Sequence, residues 1–256
     1  MDVLVQFLFR LTFGLTVSMG LTSSRAVDSG FFRVHLWVAL GLVSLATVLL
    51  ASGMGLPVEV WEHQSTWAIA CSAICSILSY LGSVIWLYEK PKLGKVFIWI
   101  VAVASCISAV VSLEAPNDIT EQVVQFFDFF TSGLVLGSTI CAMLLGHWYL
   151  NNPGMQIKPL QVLVALILIT TVARAVICGI GVSQTYASQD TTTLIFIALR
   201  WLWGIIGPVV LAVMTWQTLK IPNTQSATGI LYVGVICVFL GELSSQLLSH
   251  GLLFPL

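Results

Sequence analysis

Residues 159–182 read PLQVLVALILITTVARAVICGIGV, twenty-four positions that carry a single charge, Arg174. At about 1.5 Å of rise per residue such a run reaches roughly 36 Å as a helix, enough to cross a hydrocarbon layer of about 30 Å. Seven more windows have the same character: 3–22, 34–54, 65–88, 95–113, 123–149, 193–219 and 227–249. The chain is 58% hydrophobic and 8% charged. A soluble domain carries about 25% charged residues, so this composition cannot build a water-facing surface, and lipid is the solvent that accepts it. The expectation is an all-α integral membrane protein with about eight transmembrane helices, forming a single polytopic membrane domain over residues 1–256.

The start, Met1-Asp2-Val3, has no basic region before its apolar run, and no small-residue cleavage site follows Thr22. The first window therefore reads as a retained helix and not as a signal peptide. Short connections follow the windows, most of them with turn-formers: Asp28-Ser29-Gly30, Pro91, Pro116-Asn117, Asn151-Asn152-Pro153-Gly154 and Pro222-Asn223. No connection is long enough for a soluble domain. Chemistry must take place in the membrane, at its edge or on a partner. The net charge of -1 speaks against nucleic-acid binding. Six cysteines fall in apolar stretches without a CxxC pair and read as small buried hydrophobes.

The basic residues give an orientation. The first, third, fifth and seventh connections hold Arg25, Arg33, Lys90, Lys92, Lys95, Lys158 and Lys220. The second, fourth and sixth hold none, and carry Glu59, Glu62, Glu114, Asp118, Glu121 and Asp190 instead. Positive charge marks the cytoplasmic side. Both termini are therefore expected on the non-cytoplasmic side, in a bacterial inner membrane. The segment Gln6-Phe7-Leu8-Phe9-Arg10-Leu11-Thr12-Phe13-Gly14-Leu15 resembles Gln125-Phe126-Phe127-Asp128-Phe129-Phe130-Thr131-Ser132-Gly133-Leu134, and Leu36-Trp37-Val38-Ala39-Leu40 resembles Val162-Leu163-Val164-Ala165-Leu166. This pattern points to repeat halves 1–118 and 119–256 and to two four-helix bundles.

Five ionisable residues stay inside the windows: Arg10, Asp128, Arg174, Arg200 and Glu242. Each costs about 2.5–3.5 kcal/mol at the centre of an inserted helix. Counted from the window ends, all five fall in one outer layer, on the order of 10 Å deep. The reading is a shared polar cluster, with Arg200 and Glu242 as its central pair. Three Arg against two acids would suit an anionic or charge-gaining guest: a quinone head, a haem propionate or a carboxylate. Structural ion pairs, with Arg10 reaching to the surface, are the alternative. Glu242 and Gln246 share a helix face, as do Gly241 and Ser245. That stripe lines a site or joins helices. Gly204-Ile205-Ile206-Gly207-Pro208 should bend its helix near mid-membrane and let an apolar tail pass sideways into lipid.

His35 and His147 lie near the cytoplasmic ends of the second and fifth windows, and His63 and His250 at the outer edge. Facing histidines hold haem b in membrane cytochromes, so His35 and His147 are the haem candidates, against the plainer role of interfacial anchors. Trp61, Trp67, Trp86, Trp148 and Trp216 read as interfacial belts. The expected topology resembles that of the quinol-interacting membrane anchor subunits of polysulfide and dimethyl sulfoxide reductases, which also use two four-helix bundles with outward termini. The resemblance covers topology alone, and fold does not fix function. The functional expectation is a membrane subunit of a respiratory or other redox complex, not catalytic alone. It would bind quinone or haem b near the outer face and pair with other subunits and with lipid. The alternatives are a small-solute transporter or channel, favoured by the repeat and the Gly-Pro kink, and a structural or assembly subunit.

Overall fold

The computed structural model describes residues 2–52, 64–113, 118–152, 154–185, 191–221, 223–249 and 254–256. Glu59, Trp61, Glu62, His63, Glu114, Pro116, Asn117, Pro153, Asp190, Pro222 and His250, all singled out by the sequence, lie outside the described residues. Among the described residues every regular element is helical, and eight spans are long and apolar enough to cross a membrane.

The chain divides into two compact units, Met1–Ala115 and Pro116–Leu256. The first contains α1 (Asp2–Leu21), α2 (Ser29–Ala51), α3 (Gln64–Leu87) and α4 (Pro91–Val111). Pro91 opens α4 at a position where its missing N–H costs nothing. Just before it, Glu89 takes a left-handed φ of 53° to turn the chain out of α3. The four helices close a ring in chain order: α1 packs on α2, α2 on α3, α3 on α4, and α4 on α1. Phe32 and Trp86 stack with ring centroids 4.3 Å apart. Trp86 is buried, a correction to its reading as an interfacial residue. It lies against Gly94, where a Cβ would come within 2.5 Å of the indole. Gln6 of α1 donates to Ala109 O of α4 at 3.0 Å and to Ser112 Oγ at 2.8 Å. Lys95 Nζ satisfies Gly20 O at the end of α1 at 3.0 Å.

The second unit contains α5 (Ile119–Asn151), α6 (Lys158–Thr185), α7 (Thr191–Trp201), a π-helical turn (Leu202–Ile206), α8 (Gly207–Lys220) and α9 (Thr224–Leu248). Asp118 caps α5 by accepting from Ile119 N at 2.7 Å, and Asn223 caps α9 by accepting from Ser226 N at 3.0 Å. The interrupted run α7–π–α8 forms one span, Thr191–Lys220. Here too the spans close a ring: α5 on α6, α6 on α8, α8 on α9, and α9 on α5. Small residues allow the close approach, as membrane helix interfaces require: a Cβ on Gly146 would lie 2.7 Å from Thr228 Oγ1.

The distribution of side chains is that of a protein solvated by lipid. Long apolar residues point outward, among them Val103, Ile107, Ile169, Val172, Val176 and Ile236. Many buried hydroxyls return to their own helices, as in Thr12 to Leu8 O, Ser79 to Cys75 O and Thr139 to Val135 O. In lipid a polar group without such an internal partner is costly. Cys75, Cys141, Cys178 and Cys237 are buried, while Cys71 and Cys106 are partly exposed.

Candidate functional site

Ion pairing organises one end of the second unit, where α5 starts, α6 ends, α7 starts and α9 ends. Asp128 follows the first residue of α5 by nine positions, and Arg200 follows the first residue of α7 by nine. Arg174 precedes the end of α6 by eleven, and Glu242 precedes the end of α9 by six. At this end α5, α6 and α7 run two to four residues past their sequence windows, which puts Asp128 and Arg174 deeper than window counting suggests.

Arg174 is the centre. Its Nη1 lies 2.5 Å from Asp128 Oδ1 and 3.4 Å from Thr131 Oγ1. Its Nε donates to Glu242 Oε1 at 3.1 Å, and Nη2 donates to Ser245 Oγ at 3.2 Å. Nη2 also lies 2.9 Å from Glu242 Oε2, close enough for an ion pair though not aligned as a hydrogen bond. A guanidinium presents five N–H donors in a rigid fork, and here the fork joins α5, α6 and α9. Arg200 reaches the same carboxylate from α7, with Nη2 3.2 Å from Glu242 Oε1. The same nitrogen is 3.2 Å from Cys178 Sγ. Glu242 thus sits between two arginines with its side chain fully buried, while Asp128 keeps a side-chain exposure of 17%.

Arg200 differs from Arg174 in being half-used. Its Nε and Nη1 are buried and have no hydrogen-bond partner among the described residues. Each buried donor left without an acceptor costs about 1–3 kcal/mol. Around this side chain the seventh span changes character. Pro208 has no N–H to offer Gly204 O, and its ring would press on that carbonyl in a regular helix. The π turn directly before it widens the backbone at this point. Where a bend was expected from Gly204–Pro208, the structure has a π turn at Leu202–Ile206, just past Arg200. Gly204 meets Gly241 of α9 so closely that a Cβ on Gly241 would overlap Gly204 Cα.

A groove of about 500 Å³ runs along this crossing between α7 and α9. Phe196, Leu199 and Trp203 form one wall, and Leu240, Ser244 and Leu247 the other. Arg200 and Gly241 belong to its inner wall, and the Arg200 guanidinium is buried behind that surface.

Of the residues the sequence selected, Asp128, Arg174, Arg200 and Glu242 come together. Arg10 is buried in the first unit, on α1. Gln246 stands one turn beyond Glu242; its amide atoms are buried without a hydrogen-bond partner among the described residues, and it does not line the groove. His35 is buried on α2 with Nδ1 2.5 Å from Phe31 O. His147 is exposed on α5, with Nδ1 3.3 Å from Tyr232 OH. Among the described residues no group of three or more His, Cys, Asp or Glu is placed to hold a metal ion.

Sequence reasoning missed Thr131, Cys178 and the fold-back of residues 254–256. The first two were legible, since Thr131 follows Asp128 by three and Cys178 follows Arg174 by four, the spacings that share a helix face. The fold-back has no such signal. It arises because Ser245 Oγ donates to Leu256 O at 2.6 Å and Leu256 N donates to Ser249 Oγ at 2.9 Å. Ser245 thereby ties this segment to Arg174. Comparison of the chain with protein-family models and with curated protein sequences gives no match.

Proposed function

We propose that the chain is a membrane-embedded subunit of a respiratory or other redox complex that holds a lipid-soluble quinone near the non-cytoplasmic face. One observation carries this reading: Arg200, buried in an ion network, keeps Nε and Nη1 without an acceptor among the described residues. Ionisable groups inside a membrane are costly and mark functional sites. Arg174, in the same network, has Nε, Nη1 and Nη2 all engaged. A quinone carbonyl is an acceptor that dissolves in lipid and needs no aqueous channel. The subunit supplies binding and orientation, while electron transfer requires partner subunits.

The finer topology belongs to the same proposal. The two rings of spans, each closed in chain order, support two four-helix bundles. The seven basic residues of the odd connections support termini on the non-cytoplasmic side of a bacterial inner membrane. Haem b is the second cofactor reading. It takes His35 on α2 and His147 on α5 as separate candidate ligands, one in each unit.

The test is purification in mild detergent, then solvent extraction for quinone, an absorption spectrum and identification of co-purifying proteins. The expected result is bound quinone and redox partner subunits, with Arg200→Leu losing the quinone while still assembling. A Soret band that vanishes in His35→Ala or His147→Ala would favour haem. Solute uptake by vesicles containing this chain alone would favour a transporter. With neither quinone nor haem present, and partner activity intact in Arg200→Leu, the network is a structural lock and the redox reading fails.

A further inference from the structure

The groove between α7 and α9 is mostly apolar, with Arg200 at its inner wall and Ser244 on the α9 side as its polar side chains. Its outward rims, Phe196, Trp203, Leu240 and Leu247, are all at least half exposed, so in a bilayer the groove opens sideways to lipid and not to water. Behind its inner wall lies the buried guanidinium whose Nε and Nη1 lack acceptors among the described residues. Ser244 adds a hydroxyl on the α9 side. The Gly204–Gly241 contact keeps the two helices too close for any side chain to fill the crossing. Ligand cavities typically measure about 300–1,000 Å³, with apolar walls and a few placed polar groups, and the volume of about 500 Å³ falls within that range.

We propose that this groove is the lateral entry and seat of the quinone, its head accepting hydrogen bonds from Arg200 and Ser244 while its isoprenoid tail runs past Leu240 and Leu247 into lipid. This rests on the functional reading above and gives it a location. A flat head suits a wall that carries the aromatic residues Phe196 and Trp203. The head must be weakly hydrated, because the walls offer no compensation for a phosphate or ammonium shell. A phospholipid head fails this requirement, and a fatty acid lacks the flat head. Because the Arg200 side chain is fully buried behind the inner wall, binding requires that wall to move.

The test uses the full chain in phospholipid vesicles, titrated with decylubiquinone and followed by quenching of tryptophan fluorescence. Ser244→Phe and Leu240→Phe crowd the groove without touching the ion network. The expected result is saturable quenching in the wild type, weakened by about tenfold or more in either variant and in Arg200→Leu. Trp203→Phe should remove the largest share of the quenching signal. Thermal unfolding of each variant in the same vesicles checks that it is folded. Wild-type affinity in both groove variants, with loss in Arg200→Leu, would overturn the groove while leaving the redox reading in place. Displacement of decylubiquinone by an equal concentration of oleate would overturn the quinone assignment of the groove. The absence of saturable quenching in the wild type would remove the proposal together with the reading beneath it.

Discussion

Glu242 carries the most consequence for its size. Its single carboxylate serves two arginines, so Glu242→Gln leaves two buried cations to share the remaining acceptor groups. Breaking a buried pair from one side costs about 3–5 kcal/mol, and the lipid reference state reduces that, because an inserted but unpacked helix also finds partners. The expected outcome is a lower unfolding temperature in detergent for Glu242→Gln, a larger fall for Arg174→Met and a smaller one for Arg200→Met. That ranking follows from the number of bonds each arginine makes. In a double-mutant cycle, Arg200→Met with Glu242→Gln should be non-additive by about 0.5–3 kcal/mol, as for residues in one network. Additive losses would mean that the 3.2 Å contact contributes nothing. The pairing of Arg200 with Glu242 was legible because charge is rare in this sequence and depth can be counted along a helix. The central place of Arg174 was not, because window ends near Asp128 and Gln184 are blurred by polar residues that the helices in fact include.

At the scale of elements, the seventh span and α9 form a coupled pair. Gly204 and Gly241 meet backbone to backbone, so Gly241→Leu must push the helices apart at the point where Arg200 and Glu242 meet. Gly229 of the same helix α9 has open space where a side chain would begin, with nothing within 4 Å of an added Cβ. Gly229→Ala should therefore hold or raise stability, by up to about 1 kcal/mol from the lost freedom of glycine. Gly241→Leu should lower both the unfolding temperature and the quinone affinity. Equal behaviour of the two variants would contradict the close crossing. In the first unit, Gly94→Leu should be damaging for a different reason, since the Trp86 indole occupies the space. An irregularity at Gly204–Pro208 was readable from the proline's ring chemistry. That it is a π turn at Leu202–Ile206, packed closely against α9 through Gly204, no local pattern announces. Trp86 makes the same point: its place near a helix end suggested an interfacial belt, but the stacking with Phe32 and the gap left by Gly94 draw it inward.

For the whole molecule, the eight spans followed from composition and length, because lipid permits few ways to satisfy a backbone. The spans at Pro91–Val111 and Lys158–Gln184 match their sequence windows to within a few residues. The groove was not readable, since it depends on which faces of α7 and α9 meet. The proposed quinone site requires that the polar layer of Asp128, Arg174, Arg200 and Glu242 lie toward the non-cytoplasmic face. Orientation is therefore the measurement on which the functional reading turns. Single cysteines placed at Lys92, Lys220, Glu62 and Asp190 would be treated, in intact cells, with a thiol reagent that cannot cross the membrane. The expected result is labelling at Glu62→Cys and Asp190→Cys, and none at Lys92→Cys or Lys220→Cys until the membrane is opened. Labelling of Lys92→Cys or Lys220→Cys from outside would turn the chain over, place the polar layer on the cytoplasmic side and contradict a quinone site at the outer face.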